Sequence, residues 1–163
     1  MNYAKMRKFD VSNAPYVGCT LFVSGCSHGC KGCFNEEAQD FSFGNVWTKD
    51  SEELFMSYVK NDNVKVVNIL GGEPLEQDDN LYNLLNRIKK ETNKPIWMWT
   101  GFTFEQILKN PTQLKTVNLV DVLVDGPFVL AKKDLMLKYR GSDNQRVIDV
   151  KKSLKQNKVI IKE

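Results

Sequence analysis

Short β-branched or aromatic runs, separated by helical patterns, dominate the hydrophobic arrangement of this chain. Residues 64–70 (VKVVNIL) form an apolar run that ends at two glycines, which is typical of a buried strand. The final stretches, 146–150 and 158–162, predict a late strand pair around Gln156 and Asn157. Runs of five or six residues predict three further strands, at 19–24, 95–100 and 121–125.

Helical spacing of apolar residues fills the gaps between these strands. Residues 50–60 predict one helix, in which Asp50 and Glu53 have capping-box spacing. A short helix is predicted after Thr103, with Gln106 completing its cap. Spacing of i, i+3, i+4 and i+7 predicts a longer helix that buries Leu81, Leu84, Leu85 and Ile88.

Alternation of strands and helices predicts an α/β fold with a mostly parallel sheet covered by helices. We expect residues 1–163 to form a single domain. In such sheets ligands bind beyond the carboxyl ends of the strands. Small or polar residues follow four predicted strands, at 24–26 (SGC), 71–74 (GGEP), 100–101 (TG) and 125–127 (DGP). The sequence therefore predicts a ligand site at this edge of the sheet.

Composition excludes several classes of protein. Apolar residues make up 42% and charged residues 26% of the 163 residues, as in a soluble globular domain. The net charge of +3 is too small to predict a nucleic-acid partner. No apolar run exceeds four residues, so no transmembrane helix is predicted. The first ten residues lack an apolar stretch of signal-peptide length, so we expect a cytoplasmic protein.

All four cysteines lie within fifteen residues, at positions 19, 26, 30 and 33. Disulfides between them would close only short loops, and a cytoplasmic chain sits in a reducing compartment. Clustered thiols therefore favour a metal centre. Cys26, Cys30 and Cys33 have the spacing Cys-x3-Cys-x2-Cys, so three thiolates can surround one centre without distant partners.

Two kinds of metal centre fit this spacing. A four-iron cluster normally takes four thiolates, so three local cysteines would leave one iron open to another ligand. The alternative is a zinc site with His28 as the fourth ligand, but zinc sites usually show two separated ligand pairs, so the spacing favours iron–sulfur. Otherwise His28 is an exposed polar residue of the loop. Cys19 lies in the predicted strand, roughly 20 Å from Cys26 at about 3.3 Å per residue, and is interpreted as a buried free thiol.

Five segments carry a resemblance to a known family. They are CTLFVSGCSHGCKGCFN (19–35), GGEPL (71–75), WMWTGF (97–102), DVLVDGPF (121–128) and RGSDNQR (140–146). The cysteine loop followed by Gly-Gly-Glu-Pro resembles the radical S-adenosylmethionine enzymes. The five segments in this order resemble, more specifically, the activating proteins of anaerobic ribonucleoside-triphosphate reductase. The resemblance implies a sheet of the radical S-adenosylmethionine type, either open or closed into a partial (βα) barrel.

The resemblance also implies a set of site residues. Cys26, Cys30 and Cys33 would each bind one iron of a 4Fe-4S cluster, and S-adenosylmethionine would bind the fourth iron. Gly71, Gly72 and Glu73 match the segment that meets the methionine amino group, where Glu73 would complement its charge or hold the turn. Residues expected near the rest of the cofactor are Gly32, Cys33, Phe34, Thr100, Gly101, Asp125 and Gly126.

One position departs from the wider superfamily. Many members have an aromatic residue directly before the third cysteine, where it contacts the adenine, whereas this chain has Gly32 there and Phe34 after it. Phe34 or a backbone group is therefore the candidate for that contact.

The function implied by the resemblance is reductive cleavage of S-adenosylmethionine to a 5′-deoxyadenosyl radical. That radical would generate a glycyl radical on the large subunit of the anaerobic reductase, with an electron donor such as a flavodoxin. The cofactors carry the difficult step, so no separate catalytic side chain is expected, and neither is a membrane or nucleic-acid partner. The alternatives are an activase of another glycyl-radical enzyme, a small-molecule radical enzyme, and an interaction module that only binds zinc or an iron–sulfur cluster.

Two groups of residues have two interpretations each. Residues 140–146 either touch the reductase or the cofactor carboxylate, or form a polar turn before the last strand. Four aromatic residues near strand ends either line a cavity that protects the radical or pack in the core: Trp97, Trp99, Phe102 and Phe128.

Overall fold

The structure, a computed structural model, describes residues 1–34 and 36–162, and its strands form one seven-stranded sheet. The strands are β1 (Asn2–Asp10), β2 (Gly18–Val23), β3 (Asn45–Val46), β4 (Val66–Gly71), β5 (Ile96–Trp99), β6 (Val122–Asp125) and β7 (Arg146–Asp149). Their order across the sheet is β3-β1-β2-β4-β5-β6-β7. The central strands β2, β4, β5 and β6 are parallel, while β1, β3 and β7 pair antiparallel with their neighbours. The α/β class and the parallel centre are thus confirmed, within a sheet that is mixed at both sides.

In the part of the chain that the structure describes, five α-helices supply apolar side chains to the larger core on one face of this sheet. They are α1 (Lys49–Val59), α2 (Asp79–Glu91), α3 (Phe104–Leu108), α4 (Pro111–Val117) and α5 (Val150–Gln156). Inward residues such as Leu21 of β2 and Ile69 of β4 pack against them in this core. Helix α2 buries Leu81, Leu84, Leu85 and Ile88, as its spacing predicts. Among the described residues, no helix is both long and apolar enough to cross a membrane.

The opposite face of the sheet has only a small apolar cluster. Val66, Trp97, Val122 and Val124 form it with Ala14, and no helix residue joins it. Loop residues such as Tyr139 pack against this cluster instead of a helical layer. Part of this face therefore stays open, and it is there that the strand ends border a cavity.

The predicted late strand pair is confirmed in part: 146–149 form β7 and 158–162 meet it, but a helix lies between them. Strand β7 leads directly into α5, because the Asp149 carboxylate accepts a hydrogen bond from the Lys152 amide and caps a helix there. Asn157, with φ of 55°, ends that helix. Residues 158–162 then return to β7 through a single antiparallel bridge between Ile148 and Ile161.

The cap predicted for α1 is wrong. The helix begins two residues earlier than the Asp50–Glu53 pair requires, and its capping box is formed by Thr48 and Ser51. Ser51 donates its amide to the Thr48 hydroxyl and accepts the Thr48 amide in return. A serine in place of the usual Glu or Gln at the third position explains why the pattern pointed to Asp50.

Buried Asp10, at the end of β1, organises the turn that leads into β2. Its carboxylate accepts hydrogen bonds from the Ser12 amide and hydroxyl, from the Asn13 amide group and from the Thr20 hydroxyl. Burial raises the pKa of Asp10, but these hydrogen bonds together lower it below its ordinary value. Because Ser12 and Asn13 line the cavity, Asp10 also fixes one of its walls.

Replacing Asp10 with asparagine is expected to lower the free energy of unfolding by about 1–3 kcal/mol at pH 7, because the charged acceptor is lost. A carboxyl whose folded-state pKa is depressed stabilises the fold above its unfolded pKa of about 3.9. That stabilisation is lost as the pH falls through the lower folded-state pKa. Urea unfolding of the wild type and the asparagine variant is measured from pH 7 to pH 3. The difference between their free energies of unfolding is expected to shrink only below about pH 4. A difference that stays constant down to pH 3 would contradict this role.

Candidate functional site

A cavity of about 490 Å³ lies at the carboxyl ends of the four parallel strands. The three cysteines of the Cys-x3-Cys-x2-Cys loop all line it. Its other lining residues from the strand ends are Gly71, Gly72, Glu73, Trp99, Thr100, Gly101 and Gly126. Segments that follow four different strands therefore meet at one place, as the general rule for parallel sheets predicts.

The cysteine loop leaves β2 and turns back within a few residues. Gly29 and Gly32 have φ of 61° and 74°, which lets the backbone fold tightly around the half-buried thiols. Burial, together with smaller contributions from the nearby carboxylates of Glu73 and Glu76, raises the pKa of the Cys26 thiol to about 11. A metal centre would need that thiol as thiolate, so binding it would release a proton.

The segment after β4 holds this loop in place through several hydrogen bonds. The Glu73 amide donates to the Gly25 carbonyl at 2.7 Å, and the Gln77 side chain donates to the Ser24 carbonyl at 3.0 Å. Glu76 accepts hydrogen bonds from both the amide and the hydroxyl of Ser27. The Gly-Gly-Glu-Pro segment and the cysteine loop therefore form one connected unit.

Glu73 is the centre of that unit. Its side chain is only 1% exposed, and each carboxylate oxygen accepts two hydrogen bonds. Oε1 accepts from His28 Nε2 and the Gly101 amide, both at 2.7 Å. Oε2 accepts from the Thr100 hydroxyl at 2.8 Å and the Leu75 amide at 2.9 Å. The carboxylate thus links the cysteine loop, its own turn and the end of β5.

The interpretation of His28 as an exposed polar residue is wrong, whereas its interpretation as a metal ligand stays a prediction. Its ring is half-buried and packs edge-to-face on Phe102, with centroids 4.6 Å apart, while Nε2 is occupied by Glu73. The hydrogen bond that His28 donates to Glu73 raises the pKa of His28, although burial opposes this shift. Ligand atoms of Cys26, His28 and Glu76 lie within 4.8 Å of one another, so among the described residues the histidine groups with one thiol and one carboxylate that could hold a metal ion.

At two positions of the site, Gly71 and Gly101, the backbone is too close to its neighbours for a side chain. Gly71 has φ of 119°, and a Cβ there would lie 2.4 Å from the Val23 carbonyl oxygen. A Cβ on Gly101 would lie 2.6 Å from the His28 ring. Both positions therefore need a residue without a side chain, at the two strand ends where the Glu73 unit is assembled.

Two residues expected near the cofactor, Asp125 and Gly32, do not line the cavity. Asp125 is buried below the cavity floor, where it accepts hydrogen bonds from the Phe104 amide and the Arg146 guanidinium, and only the following Gly126 reaches the cavity. Gly32 lies against Leu130 rather than on the cavity lining, whereas Phe34 lines the cavity. Asn35, at the end of the first matching segment, lies outside the described residues.

The four aromatic residues divide between the two interpretations. Trp99 and Phe128 line the cavity, whereas Trp97 packs in the small cluster on the open face of the sheet. Phe102 supports the His28 ring. Sequence spacing did not separate these roles because Trp97 and Trp99 lie on the same face of β5, two residues apart.

Residues 140–146 form a polar turn with one side on the cavity. Gln145 accepts hydrogen bonds from the Gly141 and Ser142 amides, which closes the turn before β7. Arg140 and Gln145 line the cavity. Arg146 does not line it, because its guanidinium pairs with Asp125 and Glu105.

One wall of the cavity is basic, and the sequence pattern does not predict it. Lys5 and Arg7 of β1 line it, and both cations lie over the ring of Phe22, at 4.8 and 5.4 Å from its centroid. Strand β1 was not predicted, since its residues (NYAKMRKFD) lack an apolar alternation. No local signal in the sequence assigns these two residues to the site.

Cys19 is separate from the cavity, as its position in a strand predicts. It is fully buried in the core between the sheet and the helices. Burial raises the pKa of its thiol to about 12, so it stays protonated at neutral pH.

Known proteins resemble the chain over nearly its whole length. The family profile of the 4Fe-4S single cluster domain matches residues 13–148. The anaerobic ribonucleoside-triphosphate reductase-activating protein of Escherichia coli K12 is 38% identical over 152 residues, which cover 90% of this chain and 97% of that protein. The proteins of the same name from Vibrio cholerae and from Enterobacteria phage T4 are 37% and 34% identical, over 89% and 90% of this chain and 96% and 93% of their own lengths. The chain therefore belongs to the family of anaerobic ribonucleoside-triphosphate reductase-activating proteins.

Proposed function

We propose that the chain is a radical S-adenosylmethionine enzyme that generates the glycyl radical of an anaerobic ribonucleoside-triphosphate reductase. The observation that carries this proposal is the cavity in which the three loop cysteines meet the Gly-Gly-Glu segment. The family match to a 4Fe-4S single cluster domain favours iron–sulfur over the zinc alternative. When bound, the reduced cluster would supply one electron that breaks a carbon–sulfur bond of S-adenosylmethionine, giving methionine and a radical able to take an α-hydrogen from a glycine.

The donor set of the loop fits a 4Fe-4S cluster with one open iron. Cys26, Cys30 and Cys33 supply three thiols to one cavity, and Cys19 is too deeply buried to supply a fourth. Iron–sulfur clusters are held by cysteine thiolates. The two links from Glu73 and Glu76 to the loop would keep these thiols on the side of the cavity where the cofactor must bind.

The rest of the cavity fits the size and charge of S-adenosylmethionine. Its volume of about 490 Å³ lies within the usual 300–1,000 Å³ of small-molecule sites. Lys5, Arg7 and Arg140 line it and would complement the methionine carboxylate. Because four donors already surround the Glu73 carboxylate, we assign it the role of holding the turn, with backbone groups of that turn left to meet the amino group.

The side chains around the cavity would also limit side reactions of a radical. Trp99 and Phe128 line it, and their rings exclude water from that part of the site. The resemblance supplies the remaining part of the proposal, which is a one-electron donor such as a flavodoxin. The cytoplasmic location stays a prediction from the sequence.

The proposal predicts a glycyl radical on the partner. The chain is reconstituted anaerobically with iron and sulfide, and about four irons per chain are expected. It is then mixed with the reductase of the same organism, S-adenosylmethionine and dithionite, and electron paramagnetic resonance is recorded. We expect a glycyl doublet on the reductase and formation of 5′-deoxyadenosine.

The control is the same mixture without S-adenosylmethionine, in which no doublet is expected. Cofactor cleavage without a doublet would instead favour another glycyl-radical enzyme or a small molecule as substrate. One bound zinc per chain and no cleavage would show an interaction module, and the proposal would be wrong.

A further inference from the structure

Several exposed apolar side chains lie on segments that border the cavity. Leu135 and Met136 are 79% and 88% exposed, and Phe34 and Leu130 are 56% and 44% exposed. We call these four residues the apolar rim. Leu135 and Phe34 border the cavity, and Leu130 lies against Gly32 of the cysteine loop. A contiguous exposed apolar patch next to a site marks an interaction surface more often than scattered apolar residues do.

The backbone beneath this rim is well fixed, although its side chains face solvent. The Met136 amide donates to the Asp134 carboxylate at 2.9 Å, and the Asp143 amide donates to the Lys132 carbonyl at 2.9 Å. Trp99 Nε1 donates to the Tyr139 carbonyl at 2.7 Å, which ties the segment to β5. The rim is therefore presented on a rigid support, and ordering its backbone would cost little on binding.

Charge is distributed unevenly around the rim. Residues 130–162 contain ten Lys and Arg against three Asp and Glu, whereas residues 1–129 have an acidic excess. Lys132, Lys133 and Lys138 are exposed beside the apolar rim. Lys133 also lies over the Phe34 ring, 5.2 Å from its centroid. A partner that covers the rim would meet these three lysines.

We propose that the apolar rim, with Lys132, Lys133 and Lys138, is the surface on which the reductase docks. The proposal rests on the proposed function, because a radical made in the cavity reaches a glycine of another protein only if that protein covers the cavity mouth. The complementary face of the reductase is apolar at its centre and acidic at its edge. Apolar contacts at the centre supply affinity, and the lysines steer the encounter.

The test is anaerobic titration calorimetry between the reconstituted chain and the reductase of the same organism. Met136→Asp is expected to weaken the Kd by about tenfold or more, because a charge replaces an apolar anchor. Leu135→Ala is expected to weaken it as well. The pair Lys132→Glu and Lys138→Glu is expected to weaken it and to flatten its dependence on salt. The matched control is Leu54→Asp, an exposed leucine of α1 on the opposite face of the sheet, which is expected to bind as the wild type does.

Two further measurements separate docking from the chemistry of the cavity. Met136 does not line the cavity, so Met136→Asp is expected to keep its iron content and its reductase-independent release of 5′-deoxyadenosine while activation of the reductase falls. Wild-type affinity in both Met136→Asp and the lysine pair would overturn the docking surface and leave the proposed function intact. Failure of the wild type to release any 5′-deoxyadenosine would overturn the proposed function itself.

Discussion

Replacing Cys30 with alanine is expected to abolish cluster assembly and the cleavage of S-adenosylmethionine together. Cys30 lines the cavity with the other two loop cysteines, and the fourth thiol, Cys19, is buried in the core away from the cavity, so it cannot replace a lost ligand. Loss of a residue that merely supports a metal ligand reduces metal affinity or activity by about 10–100-fold. Loss of a ligand itself is therefore expected to reduce cleavage by more than about 100-fold. Iron and sulfide analysis after reconstitution, with chromatographic detection of 5′-deoxyadenosine, measures both effects.

The matched control is Cys19→Ala, which removes a thiol of the same kind from the core. Its side chain is fully buried between the sheet and the helices, so the free energy of unfolding is expected to fall by about 1–2 kcal/mol. Iron content and cleavage are expected to stay at the wild-type level. If Cys19→Ala lost the cluster and Cys30→Ala kept it, the assignment of three ligands and one core thiol would be wrong.

The parts of the fold that sequence predicts are those with strong, local hydrophobic patterns. Strand β4 (Val66–Gly71) and helix α2 (Asp79–Glu91) follow from a β-branched run and from helical spacing, and both lie where the pattern puts them. Edge strand β1 has no such pattern, because most of its side chains stay partly or fully exposed. Helix α5 (Val150–Gln156) falls between the two late strands that the sequence predicts, and the cap from Asp149 starts it.

The same distinction applies to the candidate site, in which the sequence predicts local contacts but not contacts between distant segments. Cys26, Cys30 and Cys33 are close in sequence, so their spacing alone predicts that they meet. The hydrogen bonds from His28 and Thr100 to Glu73 join residues 45 and 27 positions apart, and these contacts depend on the order of strands in the sheet. Spacing along the chain carries no information about such contacts, so the sequence does not predict that His28 binds Glu73.

Replacing Glu73 with glutamine is expected to destabilise the fold and to weaken binding of S-adenosylmethionine while sparing the cluster ligands. The two carboxylate oxygens accept four hydrogen bonds. A glutamine amide has one oxygen, and its NH2 group would face two of the four donors, from which it cannot accept a hydrogen bond. Leaving buried donors such as the Leu75 amide unpaired is expected to lower the free energy of unfolding by about 2–4 kcal/mol. Urea unfolding measures the first effect, and a raised KM for S-adenosylmethionine with iron content near the wild-type level measures the second.

Two comparison variants separate the role of Glu73 from a general loss of charge. Thr100→Val removes one of the four donors and is expected to cost about 1 kcal/mol, well below Glu73→Gln. Glu53→Gln changes an exposed carboxylate of α1 that pairs with Arg87, and is expected to leave both unfolding and KM close to the wild type. If Glu73→Gln raised KM without any loss of stability, its carboxylate would act on the cofactor directly and not by holding the turn. The four hydrogen bonds predict that stability and KM change together, because the same carboxylate fixes the cysteine loop to the strand ends that border the cofactor.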